Sequence, residues 1–73
     1  MSESHEATIQ WSGSVSMANQ ILEAAQRPYC ESLSEEHEDG MHVSVIVQHP
    51  DLQSLRDIID ALLINFAEIE EKN

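Results

Sequence analysis

The stretch Met41-His42-Val43-Ser44-Val45-Ile46-Val47-Gln48-His49-Pro50-Asp51-Leu52-Gln53-Ser54-Leu55 decides the fold, because its hydrophobic period changes partway along. Met41, Val43, Val45 and Val47 alternate with His42, Ser44, Ile46 and Gln48. Period two with β-branched residues reads as a strand with one buried face. His49-Pro50-Asp51 ends it, since proline has no N–H to continue a ladder. Asp51 is then a helix N-cap, and Leu52, Leu55, Ile59, Leu62, Phe66 and Ile69 follow at spacings of 3, 4, 3, 4 and 3. That spacing is a packed helical seam. Ile58, Leu63 and Ile64 make the apolar surface wider than one seam requires.

Upstream the same logic gives three more elements. Ala7, Ile9 and Trp11 alternate with Glu6, Thr8 and Gln10, which predicts a half-buried strand over residues 5–11. Ser12-Gly13-Ser14 breaks that strand and supplies a serine cap. Met17, Ala18, Ile21, Leu22 and Ala25 recur at helical spacing, so a helix is predicted from Val15 to Arg27, stopped by Pro28. Tyr29 to Glu35 reads as a weak strand anchored by Tyr29, Cys30 and Leu33, and Glu36 to Gly40 as a hairpin loop with Asp39-Gly40 as its turn signal. The expected fold is α+β: a single two-layer β-α-β-β-α domain, a three-stranded antiparallel sheet with two helices on one face. Residues 5–73 would form this domain, with residues 1–4 expected to be disordered. A helix of about 20 residues spans about 30 Å, more than a short sheet covers. Part of its apolar surface should therefore stand exposed, as an interaction site.

Composition narrows the function. The chain has 73 residues, with 14 Asp and Glu against 3 Lys and Arg, and a formal charge of −11. That length allows one domain and a small core. The charge argues against tracking a phosphate backbone and against docking on an anionic membrane. Cys30 is the single cysteine, so no disulfide can form within the chain. The beginning, MSESHEATIQW, has neither a basic n-region nor an apolar h-region, and no apolar run is long enough to span a membrane. A reducing, cytoplasmic setting is expected. The small core and the over-wide helix suggest that stability is gained by association with protein.

Catalytic and metal chemistry is not visible in the spacing. The four histidines fall into no H-x-x-x-H or H-E-x-x-H pattern, and a single cysteine gives no C-x-x-C. Glu35/Glu36, Glu38/Asp39 and Glu70/Glu71 read as solvated charge on a loop and a helix end. Cys30 reads as a small buried hydrophobe rather than a nucleophile. With Gly13 and Gly40 as the sole glycines there is no phosphate-cradling loop. The chain is therefore expected not to be an enzyme and to need no cofactor and no metal. Trp11 and Tyr29 are either core aromatics or interface anchors, with core packing favoured for both because Trp11 continues the Ala7/Ile9 face. Arg56 either pairs locally with Asp57 or Asp60 or meets a carboxylate across an interface.

The run Asp51-Leu52-Gln53-Ser54-Leu55-Arg56-Asp57-Ile58-Ile59-Asp60-Ala61-Leu62-Leu63 resembles the C-terminal helix of the small dimerisation subunit of the KEOPS complex. That family has a strand leading into a "D-L-x-S-L-R" helix start. MHVSVIVQ is similar to its third strand, and Ile21 to Pro28 to the end of its first helix. The resemblance covers nearly the whole chain and has the same element order. It implies a non-catalytic subunit of a cytoplasmic complex that makes threonylcarbamoyl-adenosine in tRNA. In that family the helices bundle with those of the ATP-dependent transferase subunit, and sheets pair between protomers. Carried over, the partner-binding positions would be Ile21 and Leu22 on the first helix and Leu55, Arg56, Ile59, Leu62, Leu63 and Phe66 on the second. Asp60 stands where the family often has asparagine, and the acidity argues against direct tRNA contact. The resemblance thus extends to a divergent acidic paralogue that caps the ordinary subunit, binding a paralogue, the transferase subunit or both as a homo- or heterodimer. An unrelated small dimeric α/β interaction module, or an acidic regulator, is the alternative reading of the same residues.

Overall fold

The computed structural model describes residues 4–72, so residues 1–3 and 73, and the expectation placed on the first of them, lie outside it. Along the chain run β1 (His5–Gly13), α1 (Val15–Ala24), β2 (Cys30–His37), β3 (Gly40–His49) and α2 (Leu52–Lys72). The sheet order is β1-β3-β2, antiparallel throughout. β3 is central because its valine row can be covered on one face and hydrogen-bonded on both edges. In register, Val43 opposes Trp11, Val45 opposes Ile9 and Val47 opposes Ala7, so β1 and β3 put their apolar residues on the same face. That face meets both helices. Ala18, Ile21 and Ala25 from the α1 region and Leu55, Leu62 and Phe66 from α2 complete a core with Trp11 and the three valines. No polar or charged residue is buried among the described residues.

Local chemistry sets the element ends. Ser14 caps α1, its hydroxyl oxygen accepting from the Met17 N–H at 3.2 Å. Asp51 caps α2 in the same way, accepting from the Ser54 N–H at 2.9 Å, while the Asp51 N–H donates to His49 Nδ1 at 2.9 Å. α1 ends earlier than its periodicity predicts, at Ala24 rather than Arg27. The Arg27 N–H donates to the Ala25 carbonyl and the Cys30 N–H to the Arg27 carbonyl, so a turn replaces the last helical residues ahead of Pro28. Arg27 consequently sits beyond the helix. Within this turn Tyr29 has φ +70°, unfavourable for a bulky side chain. Its carbonyl accepts from the Gln48 N–H at 3.0 Å and its ring lies 4.3 Å from that of His49.

The hairpin is tighter than expected. β2 runs on to His37, which opposes Gly40, leaving Glu38 and Asp39 as the turn. Gly40 has φ +149°, and a Cβ there would collide with the Gly13 carbonyl. Gly13 likewise lies under the Trp11 ring, where a Cβ would come within 2.6 Å of the indole. β1 therefore extends through Gly13, past the predicted break at residue 12.

Leu62 is fully buried in this single-chain core. Leu62→Ala should cost about 2–5 kcal/mol in chemical denaturation, whereas Ile64→Ser, at a position 60% exposed, should change stability by about 0.5 kcal/mol or less. Equal effects at the two sites would contradict this assignment of the α2 faces.

Candidate partner-binding surface

The eight residues assigned to partner binding divide among three environments. Ile21, Leu55, Leu62 and Phe66 belong to the core of the chain itself. This placement follows from the seam spacing: positions 55, 62 and 66 face the sheet, and the β3 valines already occupy that side. Leu22 and Ile59 are half-buried at the edge of the core. Leu63 and Arg56 are exposed.

The exposed and half-exposed members form a surface when Leu52 is added. Leu52, Arg56, Ile59 and Leu63 are spaced 4, 3 and 4 along α2, which puts them in one stripe on the flank of the helix. Leu52 is 50% exposed and Leu63 48%. The opposite flank is better covered, since Ser54, Ile58, Ala61 and Asn65 are all half-buried. Ile64 is a different case. Residues three, four and seven positions from it include Asp57, Asp60, Glu68 and Glu71, so it is one apolar side chain within an acidic face. The stripe carries one cation, Arg56. Asp57, one of its two candidate local partners with Asp60, accepts from Gln53 Nε2 at 3.2 Å. An exposed guanidinium in an apolar stripe is suited to a carboxylate on another chain.

The other candidate chemistry does not assemble. Among the described residues no group of three or more His, Cys, Asp or Glu could hold a metal. An open cleft of about 320 Å³ lies between Ser12, Gly13, His37, Asp39, Gly40 and Met41, but its two titratable side chains are solvent-exposed. Burial pushes the Cys30 thiol above its ordinary value, with the Arg27 charge opposing this more weakly. A raised thiol is a poor nucleophile at neutral pH. No described helix is long and apolar enough to cross a membrane. The outer sheet face is mostly polar, with Gln48 donating to Glu6 across the β3–β1 pair at 2.6 Å.

One contact has no local signal in the sequence. Trp11 Nε1 donates to Glu70 Oε1 at 2.9 Å, linking β1 to the C-terminal turns of α2. It gives one of the carboxylates at the unfavourable end of the helix dipole a donor. Residues 59 apart reveal no such pairing by periodicity. Comparison of the chain with protein-family models, with curated proteins and with solved structures finds no match.

Asp51 supplies a pH test of the α2 cap. The Ser54 backbone N–H, followed by a side-chain bond to Ser54, holds its carboxyl below the ordinary value of 3.8. A depressed carboxylate contributes stability above its unfolded pKa and loses it as pH falls through the folded one. Asp51→Asn keeps a cap without the charge. The stability advantage of the native chain over this variant should be constant near neutral pH and shrink as pH drops below 3.8. A thermal-unfolding difference independent of pH would contradict the charged cap.

Proposed function

We propose that this chain is a non-catalytic dimerisation or capping subunit of a KEOPS-type complex, which makes threonylcarbamoyl-adenosine in tRNA. The observation that carries the reading is the stripe Leu52, Arg56, Ile59 and Leu63 on a helix whose other seam is already used by its own core. A helix with two apolar faces binds twice, once to its own sheet and once to another chain. The resemblance of residues 51–63 to the family's helix supplies the identity of that other chain: the transferase subunit, or the ordinary dimerisation subunit as a paralogue. The β-α-β-β-α order is the one the resemblance implies. The work of such a subunit is assembly, and the −11 charge directs it away from holding tRNA. A cytoplasmic location accompanies this role and suits a free cysteine.

Mass measurement of the chain alone, with the dimerisation subunit and with the transferase subunit tests the reading. A defined complex with at least one of them is expected. Leu63→Asp should weaken that complex at least about tenfold, since truncated apolar anchors at interfaces cost more than about 1.4 kcal/mol. It should leave the thermal midpoint of the isolated chain nearly unchanged, because Leu63 is on the surface. A chain that ignores both subunits, or a complex indifferent to Leu63→Asp, would overturn the proposal.

A further inference from the structure

β2 is the strand left most open by the rest of the molecule. The helices pack over β3 and β1. On β2, Glu31, Leu33, Ser34, Glu35 and Glu36 are all exposed, although they alternate between the two faces of the sheet. β2 is also an edge strand, paired to β3 on one side only. The bond from the Gln48 N–H to the Tyr29 carbonyl sets the phase of the ladder. Antiparallel strands alternate bonded and non-bonded pairs. With 31 opposite 46, 33 opposite 44 and 35 opposite 42, residues 31, 33 and 35 therefore direct their backbone groups at β3. Residues 32, 34 and 36 direct theirs outward, at the free edge. An open row of donors and acceptors is a template for one more strand.

The charge on that edge selects the strand it can take. Glu31, Glu35 and Glu36 lie along β2, Glu38 and Asp39 continue into the turn, and no Lys or Arg occurs between Arg27 and Arg56. Two copies joined through β2 would bring these carboxylates together, and directly opposed like charges destabilise a strand pair. The same carboxylates attract a cationic strand, and Leu33, 54% exposed at the middle of β2, gives it an apolar contact. We propose that the free edge of β2 is a strand-addition site for an extended, Lys/Arg-rich segment of another protein, with an aliphatic residue seated beside Leu33. Main-chain bonds to Ser32, Ser34 and Glu36 supply the ladder, and the flanking carboxylates supply specificity. This site is separate from the α2 stripe, and either can hold without the other.

The test uses the isotope-labelled full chain and a capped peptide of sequence Lys-Lys-Thr-Val-Thr-Lys-Thr, whose Val shares a face with the lysines that meet Glu31 and Glu35, at low salt, followed by amide hydrogen exchange. Saturating peptide should slow exchange at Ser32, Ser34 and Glu36 at least about tenfold, the signature of newly formed backbone bonds. Glu31, Leu33 and Glu35, already bonded to β3, should change little. Backbone N-methylation at alternate peptide positions keeps the charge and should remove that protection. Combined Glu31→Gln, Glu35→Gln and Glu36→Gln should weaken binding roughly tenfold. Absence of binding, binding that leaves the three amides exchanging as before, or affinity unchanged in the triple variant would each overturn the proposal.

Discussion

The packing of Leu55, Leu62 and Phe66 on the β3 row Val43, Val45 and Val47 is the contact on which the other elements depend. β3 is hydrogen-bonded to both neighbours, so covering its valine face fixes the sheet as well as the helix. Ala18 and Ala25 are small enough for α1 to lie beside α2, and Ile21 fills the space between them and the sheet. Trp11 closes one end of this layer and is tied to α2 through Glu70. The core contains no buried polar group among the described residues, so its cohesion is hydrophobic and has little directional specificity of its own. Specificity comes from the period of each element, from the caps at Ser14 and Asp51, and from the hairpin at Glu38-Asp39. The same contact leaves an apolar stripe exposed. Once α2 has turned its seam to β3, Leu52, Ile59 and Leu63 are left on the flank.

The acidity is kept clear of this core. Carboxylates lie along β2, in its turn, on the outer face of α2 and at its C-terminal end. All of these positions are solvated, so mutual repulsion acts through water and is screened by salt. The α2 stripe, by contrast, carries Arg56 and apolar side chains. The chain thus carries an apolar stripe and an acidic strand edge on separate elements.

Most of the fold was legible because the hydrophobic period switches cleanly. Alternation over Met41–Val47, helical spacing after Asp51 and the two caps each identify an element with a physical reason. Element ends were less legible where tertiary pairing overrides local pattern. β2 is too polar to be bounded by hydrophobicity, and its end is set by pairing of His37 with Gly40. α1 stops at Ala24 because the chain must turn sharply to enter β2, a requirement that the Ala25-to-Pro28 sequence does not announce. The candidate surface was legible in its existence and not in its composition. Sequence gives α2 a wide apolar arc but not the direction of the sheet. Leu62 and Leu63 are adjacent and chemically identical, yet one is in the core and the other on the flank. Leu52 reads from spacing as part of the seam and is half exposed in the structure.

Amide hydrogen exchange on the isolated chain, dilute enough to be monomeric, tests most directly whether α2 and β3 form a self-sufficient core. Slow exchange is expected at Val43, Val45 and Val47 and along α2 around Leu62, with no partner present. Unprotected exchange at these amides, with protection appearing only on addition of another chain, would contradict a self-sufficient core. Association would then create the core, and the division of α2 into a core seam and a free stripe would not hold.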